Sequence, residues 1–403
     1  MKKGLFLILA LLFFVSFSTE GICAGKDIKV AFLVPLTGGG AFYGTLMRDV
    51  GKAIVDEINK QGIKGFGKFE VIVYDEASDP TVAVGKMERA KMQGANFVWG
   101  GFSSAVEKAM VAKGEELKLP VIITNATSYE AFPNNTKYSV NPTMGSYEWG
   151  EMTAEYFKKE KVKTYAIIGA DYLWGRTWDK TLTLDIKGAG IKKVYENWHD
   201  FSKVDFSSDI AKLKELKPDA VLRPFGGAGE YVIIKQMKEA GYWPRIYIGD
   251  TVDGGYQVLL DSVGEDYAVG VTAPSTQNPE KAAWINFAKT HQQKYGYRPT
   301  WLSDGMNDTL WFMKMVIEKA GSLDPDVLAK VMHESSYDGV SGSPCGPFQP
   351  CGQLRKGTAY LLKFAKGSPT WSDKIGVHRE VVFKKDVVPL CKEGVEERLK
   401  EVK

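Results

Sequence analysis

The feature that most constrains this chain is an alternation that runs through it twice. Short apolar, β-rich runs are each followed by a helix-length stretch with apolar residues at helical spacing. Ile28 to Val34 (IKVAFLV) predicts a buried strand, and 42–60 a helix with Leu46, Val50, Ile54 and Ile58 on one face and Gly62 past its end. Phe69 to Asp75 predicts the next strand and 81–93 the next helix; strands at 96–101 and 121–124 flank a helix over 105–117. The pattern restarts at Tyr165 to Asp171, with strands around 193–199, 220–225 and 245–250 and helices near 174–188, 207–216 and 230–240. Apolar runs separated by helices predict parallel strands covered on both faces. Two such series predict an α/β protein of two doubly wound lobes.

Pro- and Gly-bearing stretches mark where the chain passes between the lobes: 139–146 (SVNPTMGS) and 273–279 (APSTQNP). Helices over 279–295 and 301–320 follow the second. The division is then 27–143 with 275–345 in the first lobe, 144–274 with 357–390 in the second, and 391–403 as a C-terminal tail. The 403 residues, 44% hydrophobic and 25% charged, suffice for two full cores.

Residues 1–24 read as an export signal. Lys2 and Lys3 precede an apolar run from Leu5 to Phe17, shorter than the about 20 residues that span a bilayer, and small residues follow, with cleavage expected after Ala24. The alternatives are an uncleaved anchor and a lipid-modified Cys23, whose preceding Glu20-Gly21-Ile22 fits lipid attachment poorly. The chain carries +3; removing Lys2, Lys3 and Glu20 subtracts two positive charges and one negative, leaving +2. Lysine and arginine are interspersed with acids, so no basic face for nucleic acid or acidic lipid is expected. Export places the protein in an oxidising periplasm, where cysteines pair. Cys345 and Cys351 flank a Gly/Pro-rich turn, and a local Cys345–Cys351 disulfide is expected, with Cys391 unpaired and Cys23 lost with the signal. The four histidines (199, 291, 333, 378) are scattered, and no metal site or cofactor is expected.

The candidate site lies where strands end, because open α/β sheets bind ligands beyond the carboxyl ends of their strands. Thr37-Gly38-Gly39-Gly40 lacks the spacing and lysine of a phosphate cradle and reads as a tight turn. Gly101-Phe102-Ser103-Ser104-Ala105 resembles a hydrolase nucleophile elbow, but Ala105 replaces its second glycine and no histidine–acid pair follows. Ser103 and Ser104 instead either cap the following helix or, with its free amides, hold an anion. Asn125-Ala126-Thr127-Ser128 ends the next strand in the same way. In the second lobe Tyr172, Trp174, Phe225 and Asp250 stand at strand ends, where aromatic side chains suit an apolar pocket with few polar anchors.

The ordered set of Ile28 to Pro35 with Thr37-Gly38, Phe42-Tyr43-Gly44, Ile63-Lys64-Gly65, Val73-Tyr74-Asp75 with Ser78-Asp79-Pro80, Gly100 to Ser104, Trp174-Gly175 and Asp205-Phe206 resembles the leucine/isoleucine/valine-binding protein family, type I periplasmic binding proteins of ABC transporters. The resemblance covers nearly all of the chain after the signal. It implies two lobes joined by three crossing segments, a ligand held between them by hinge closure, delivery to membrane permease subunits, no catalysis, and a monomer in the periplasm. By motif position it implies a first-lobe pocket of Tyr43, Phe102, Ser103, Ser104, Asn125, Ala126 and Thr127 that grips a ligand α-carboxylate, and Trp174 opposite, where the family often has Tyr. Two departures stand out. The family's frequent disulfide falls on Ser78 and Ser103 here. Its ammonium-holding Tyr and Glu fall at Gly226 and at Asp250-Thr251. The ligand expected is a hydrophobic or branched-chain amino acid. The alternatives are an aromatic or aliphatic carboxylate or amide without an α-ammonium, or a role as a ligand-sensing subunit.

Overall fold

A computed structural model describes residues 25–124, 128–200, 202–250, 256–296, 299–366 and 377–400. The first series builds β1 (Ile28–Val34), α1 (Ala41–Gln61), β2 (Phe69–Asp75), α2 (Pro80–Met92), β3 (Phe97–Gly100), α3 (Ser104–Leu117), β4 (Val121–Ile123) and β5 (Ser139–Val140). These strands form one parallel sheet in the order β2-β1-β3-β4-β5. Local chemistry sets the joints. Asp79 caps α2 by accepting from the amides of Thr81 (2.7 Å) and Val82 (2.9 Å), and Pro80 occupies the first helical position, where no amide is needed. Phe32 and Trp99, both fully buried, pack at 4.3 Å between this sheet and the helices behind it.

The chain then crosses and builds α4 (Ser146–Lys159), β6 (Thr164–Ala170), α5 (Leu173–Asp185), β7 (Lys192–His199), α6 (Ser207–Leu216), β8 (Ala220–Arg223), α7 (Gly227–Glu239), β9 (Ile246–Gly249), α8 (Tyr256–Val263), α9 (Glu265–Ala268) and β10 (Val271–Ser275). It returns to the first lobe for α10 (Ala282–Tyr295), α11 (Trp301–Ala320) and α12 (Pro325–Glu334), the last two burying Met306, Leu310, Met313 and Leu328 with the β1 and α1 core. A third passage leads to β11 (Gly357–Lys366), β12 (Val377–Val387) and α13 (Lys392–Lys400). The second sheet runs β12-β11-β10-β9-β8-β6-β7. It is parallel from β7 to β10 and antiparallel at β10/β11 and β11/β12. The architecture is therefore α/β in two sheet-centred lobes. The antiparallel ribbon at its edge had no distinct signal in a sequence read for strand–helix alternation.

The disulfide expectation is overturned. Cys351 pairs with Cys391, 40 residues away, and Cys345 is a buried free thiol. The cause is local. Cys345 exchanges both backbone hydrogen bonds with Tyr337 (2.8 and 3.0 Å) and faces the first-lobe core, while the turn carries Cys351 away onto the edge of β5. The longer loop removes more chain entropy, about 4 kcal/mol against about 2 for the local pairing.

Candidate functional site

On the first lobe, the ends of β1, β2 and β3 are fastened to each other. The Asp75 carboxylate accepts from the amides of Leu36 (2.9 Å), Thr37 (3.2 Å) and Ala77 (2.8 Å) and from the Thr37 hydroxyl (2.7 Å). Ser78 Oγ accepts from the Gly40 amide at 3.0 Å. Gly100 has φ +137°, and a Cβ there would lie 2.0 Å from the Leu33 carbonyl oxygen, so the β3 exit requires glycine. This exit presents Phe102, Ser103 and Ser104, all half-buried. Phe102 stacks on Tyr43 from the first turn of α1, with ring centroids 4.7 Å apart and an 18° interplanar angle. Ser103 is the N-cap of α3, its Oγ accepting from the Val106 amide at 3.4 Å. Ser104 opens the helix. Asn125, Ala126 and Thr127 lie outside the described residues.

Beneath this loop are two acids that the sequence did not single out. Glu76 follows β2 and Glu107 lies one turn into α3; both are fully buried, and none of their four carboxyl oxygens has a hydrogen-bond partner. Burial pushes Glu107 well above the usual carboxylate range, with Glu76 adding to the push. Burial lifts Glu76 to about 7, with the nearby Ser78 and Asp79 amides, which make no well-formed hydrogen bond to it, offsetting part of the effect. The loop rests directly on Glu107, since a Cβ on Gly101 would sit 2.7 Å from Glu107 Cγ.

The second lobe places Tyr172 and Trp174 at the β6 end and Asp250 at the β9 end. Tyr172 Oη donates to Asp250 Oδ2 at 2.9 Å and reaches the Phe225 carbonyl at 3.4 Å. Tyr172 stacks on Trp174 at 6.0 Å, and Trp174 meets Trp178 edge-on at 4.9 Å. The buried Trp174 Nε1 has no hydrogen-bond partner. The Phe225 ring is fully buried, edge-on to Phe206 and 3.7 Å beneath the Arg223 guanidinium. Arg223, itself fully buried, donates to the carbonyls of Ile168 (2.8 Å) and Gly229 (3.2 Å), and its Nε stands 3.7 Å from Glu230 Oε2. Glu230 Oε1 accepts from Tyr247 Oη at 2.7 Å. Burial raises Glu230 to about 7 against the pull of Arg223. Asp250 is pushed well above its ordinary range by burial and by Glu230, with the Tyr172 hydroxyl and Arg223 opposing.

Tyr231 lies one residue past Glu230 on α7. Burial raises its phenol, and the largest charge contribution comes from Tyr43 of the first lobe, followed by Glu230 and Asp250. Glu230 and Tyr231 carry no strand-end signal because they lie inside α7, which begins at Gly227, and Arg223 carries none because it closes the buried strand β8. Among the described residues of this site the buried acids Glu76, Glu107 and Glu230, with the half-buried Asp250, stand against one buried base, Arg223. Among the described residues, no cluster of three or more His, Cys, Asp or Glu suits a metal ion.

The profile of a family described as periplasmic binding protein matches residues 27–367. The leucine-, isoleucine-, valine-, threonine- and alanine-binding protein of Pseudomonas aeruginosa is 26% identical over 358 residues, covering 85% of this chain and 92% of that protein. Among solved structures, a solute-binding protein of an ABC transporter from Rhodopseudomonas palustris, in complex with 3,4-dihydroxybenzoic acid, superposes with a TM-score of 0.76 at 22% identity, over 91% of this chain and 99% of that one. A branched-chain amino acid transporter substrate-binding protein from Streptococcus pneumoniae, in complex with isoleucine, gives 0.74 at 19% identity, over 90% of this chain and 100% of that one.

Proposed function

The chain belongs to the periplasmic binding protein family, and from that premise we propose that it captures one small amino acid between its lobes in the periplasm and hands it to the permease of an ABC importer. It acts in this reading as a binder and not as an enzyme. The observation that carries the proposal is that both lobes bring matched groups to their strand ends: the Tyr43–Phe102 stack beside the α3 N-terminus on one, and Tyr172 donating to Asp250 at 2.9 Å on the other. A ligand there is gripped by both lobes at once, and its binding energy then draws them together.

The parts divide by chemistry. The amide and hydroxyl groups of Ser103 and Ser104 at the α3 N-terminus suit a carboxylate. The Tyr43–Phe102 and Tyr172–Trp174 stacks offer aromatic faces to an apolar body. Asp250 offers a carboxylate to an ammonium, which would need such a partner to be buried. A second reading has its own observation. Asp250 already holds the Tyr172 hydroxyl at 2.9 Å and is raised toward its neutral form, so it also suits an uncharged hydroxyl or amide, as on an aromatic acid. Solved structures of this fold hold ligands of both kinds, 3,4-dihydroxybenzoic acid in one and isoleucine in another.

The test is calorimetry and thermal shift with leucine, its deaminated analogue and 3,4-dihydroxybenzoate, on the wild type and Asp250→Asn. A charge-assisted hydrogen bond is worth about 1.5–3 kcal/mol, so Asp250→Asn should weaken leucine tenfold or more and leave the analogue unchanged. Binding of the analogue equal to leucine, indifferent to the substitution, removes the ammonium from the site. Binding of none of the three sinks the assignment.

A further inference from the structure

The chain leaves the second lobe at Val387, the end of β12, and reaches Cys391 four residues later. The partner of Cys391, Cys351, lies in the passage between α12 and β11, and that turn is seated on the first lobe. The Pro350 carbonyl accepts from the Thr136 amide at 2.9 Å, and the Gly352 carbonyl accepts from the Asn141 amide at 2.8 Å. Asn141 Nδ2 donates to Gln353 Oε1 at 2.9 Å. The fit is close enough that a Cβ on Gly352 would lie 2.3 Å from the Ser139 carbonyl oxygen. The sulfur bridge therefore joins the exit of the second lobe's edge strand to β5, the edge strand of the first.

From Cys391 the chain enters α13 and turns back. At its start the Glu393 amide donates to Asn134 Oδ1 at 2.7 Å, on the first lobe between α3 and β5. At its far end Arg398 donates to Glu151 Oε1 on α4 (2.5 Å) and to Asp185 Oδ1 at the end of α5 (2.7 Å), both on the second lobe. Its guanidinium also stands 5.5 Å from the Tyr147 ring. Glu151 and Asp185 are mostly buried, with side chains 14% and 15% exposed, and burial raises Asp185 where Arg398 opposes it. Half-shielded charges of this kind hold position better than an open surface pair.

We propose that the Cys351–Cys391 bridge and α13 form a strap across the hinge that limits how far the two lobes open. A rotation of one lobe against the other about the three crossing segments moves Asn134 and the 350–353 turn relative to Glu151 and Asp185. The strap is fixed at both ends, so it resists that rotation and keeps the ligand-free protein near the closed geometry, which lowers the ordering that binding has to complete. The inference rests on the lobe closure proposed above.

The test is small-angle scattering of the oxidised, ligand-free chain as wild type, Cys391→Ser and Arg398→Ala, with leucine and 3,4-dihydroxybenzoate as closure probes. Both variants should widen the radius of gyration by about 1 Å on about 21 Å. Arg398→Ala keeps the disulfide and so carries the test if Cys391→Ser does not fold. Equal radii for wild type and Arg398→Ala without probe overturn the strap, whatever the probes do. Widened variants together with a wild type that neither probe contracts count against the proposed ligands and leave the strap standing.

Discussion

The two lobes bring similar sheets to one cleft and handle buried charge in opposite ways. In the second lobe the carboxyls are wired: Asp250 to Tyr172, Glu230 to Tyr247, with Arg223 clamped between carbonyls and aromatic rings beside them. In the first lobe Glu76 and Glu107 are buried with no hydrogen-bond partner for any of their oxygens. A paired buried charge is a commitment, since removing one member strands the other. An unpaired buried acid evades the cost by keeping its proton. The difference predicts that charge removal acts with opposite sign in the two lobes.

The largest effect is expected in the second lobe. Arg223→Met leaves the fully buried Glu230 without its cation and should destabilise by about 3–5 kcal/mol. Adding Glu230→Gln should return much of that loss, because the stranded charge is then gone. Urea unfolding of the single and double variants decides it. A single-variant loss below about 1 kcal/mol would show that Glu230 simply takes a proton, and the two lobes would then be alike.

In the first lobe the sign reverses. Glu76 titrates at about 7 in the folded protein against 4.5 ordinarily, so the native state keeps a proton that the unfolded chain releases between those values. Its contribution is present below about 4.5, falls as pH rises, and is fully lost above about 7. Glu76→Gln has no proton to lose. It should match wild type near pH 4 and exceed it near pH 8 by roughly 3 kcal/mol at most. Guanidinium unfolding at the two pH values checks this. A variant less stable than wild type at pH 8 would mean that an ionised Glu76 is held by groups not recognised in this site.

The first lobe's face was legible in the sequence because its parts are local. Thr37-Gly38, Gly100 to Ser104 and Ser78-Asp79-Pro80 each announce a turn or a cap within a few residues of a strand end, and the structure uses Asp79 as that cap. The second lobe's face was only half legible. Tyr172 and Asp250 stand at strand ends, where the sequence points, and they hydrogen-bond to each other. Tyr231 and Glu230 lie inside a helix, where a polar residue looks like a solvated face until the neighbouring strands are placed. Phe225 ends a strand as expected, and its ring is buried against Arg223. Glu107 is one acid among many in sequence, and only the approach of Gly101 to its side chain reveals it. The disulfide differs from expectation for a related reason. Cys345 and Cys351 are close along the chain, but the Tyr337 pairing turns one into the first-lobe core and the seat on β5 brings the other, also buried, against Cys391.

The smallest predicted effect separates two roles that the sequence left open at neighbouring serines. Ser103 is the N-cap of α3, but its bond to the Val106 amide is long at 3.4 Å, so Ser103→Ala should cost stability at the low end of the capping range, about 0.5–1 kcal/mol. Ser104 is the first helical residue and caps nothing, so Ser104→Ala should leave the melting temperature in place. If the hydroxyl reaches a ligand carboxylate, the same substitution weakens affinity about tenfold, since 1.4 kcal/mol is one decade. Measured together on the two single variants, melting temperature and leucine affinity should therefore move independently: the first with Ser103, the second with Ser104. This independence matters for the comparison of lobes. Helix α3 carries Glu107 one turn below Ser104, so a neutral Glu107 is what allows an anion at the helix start without a like charge behind it. The affinity lost in Ser104→Ala should accordingly shrink as pH rises and Glu76 ionises. A loss that is constant from pH 5 to pH 8 would detach the buried acids from ligand binding and leave them a matter of stability alone.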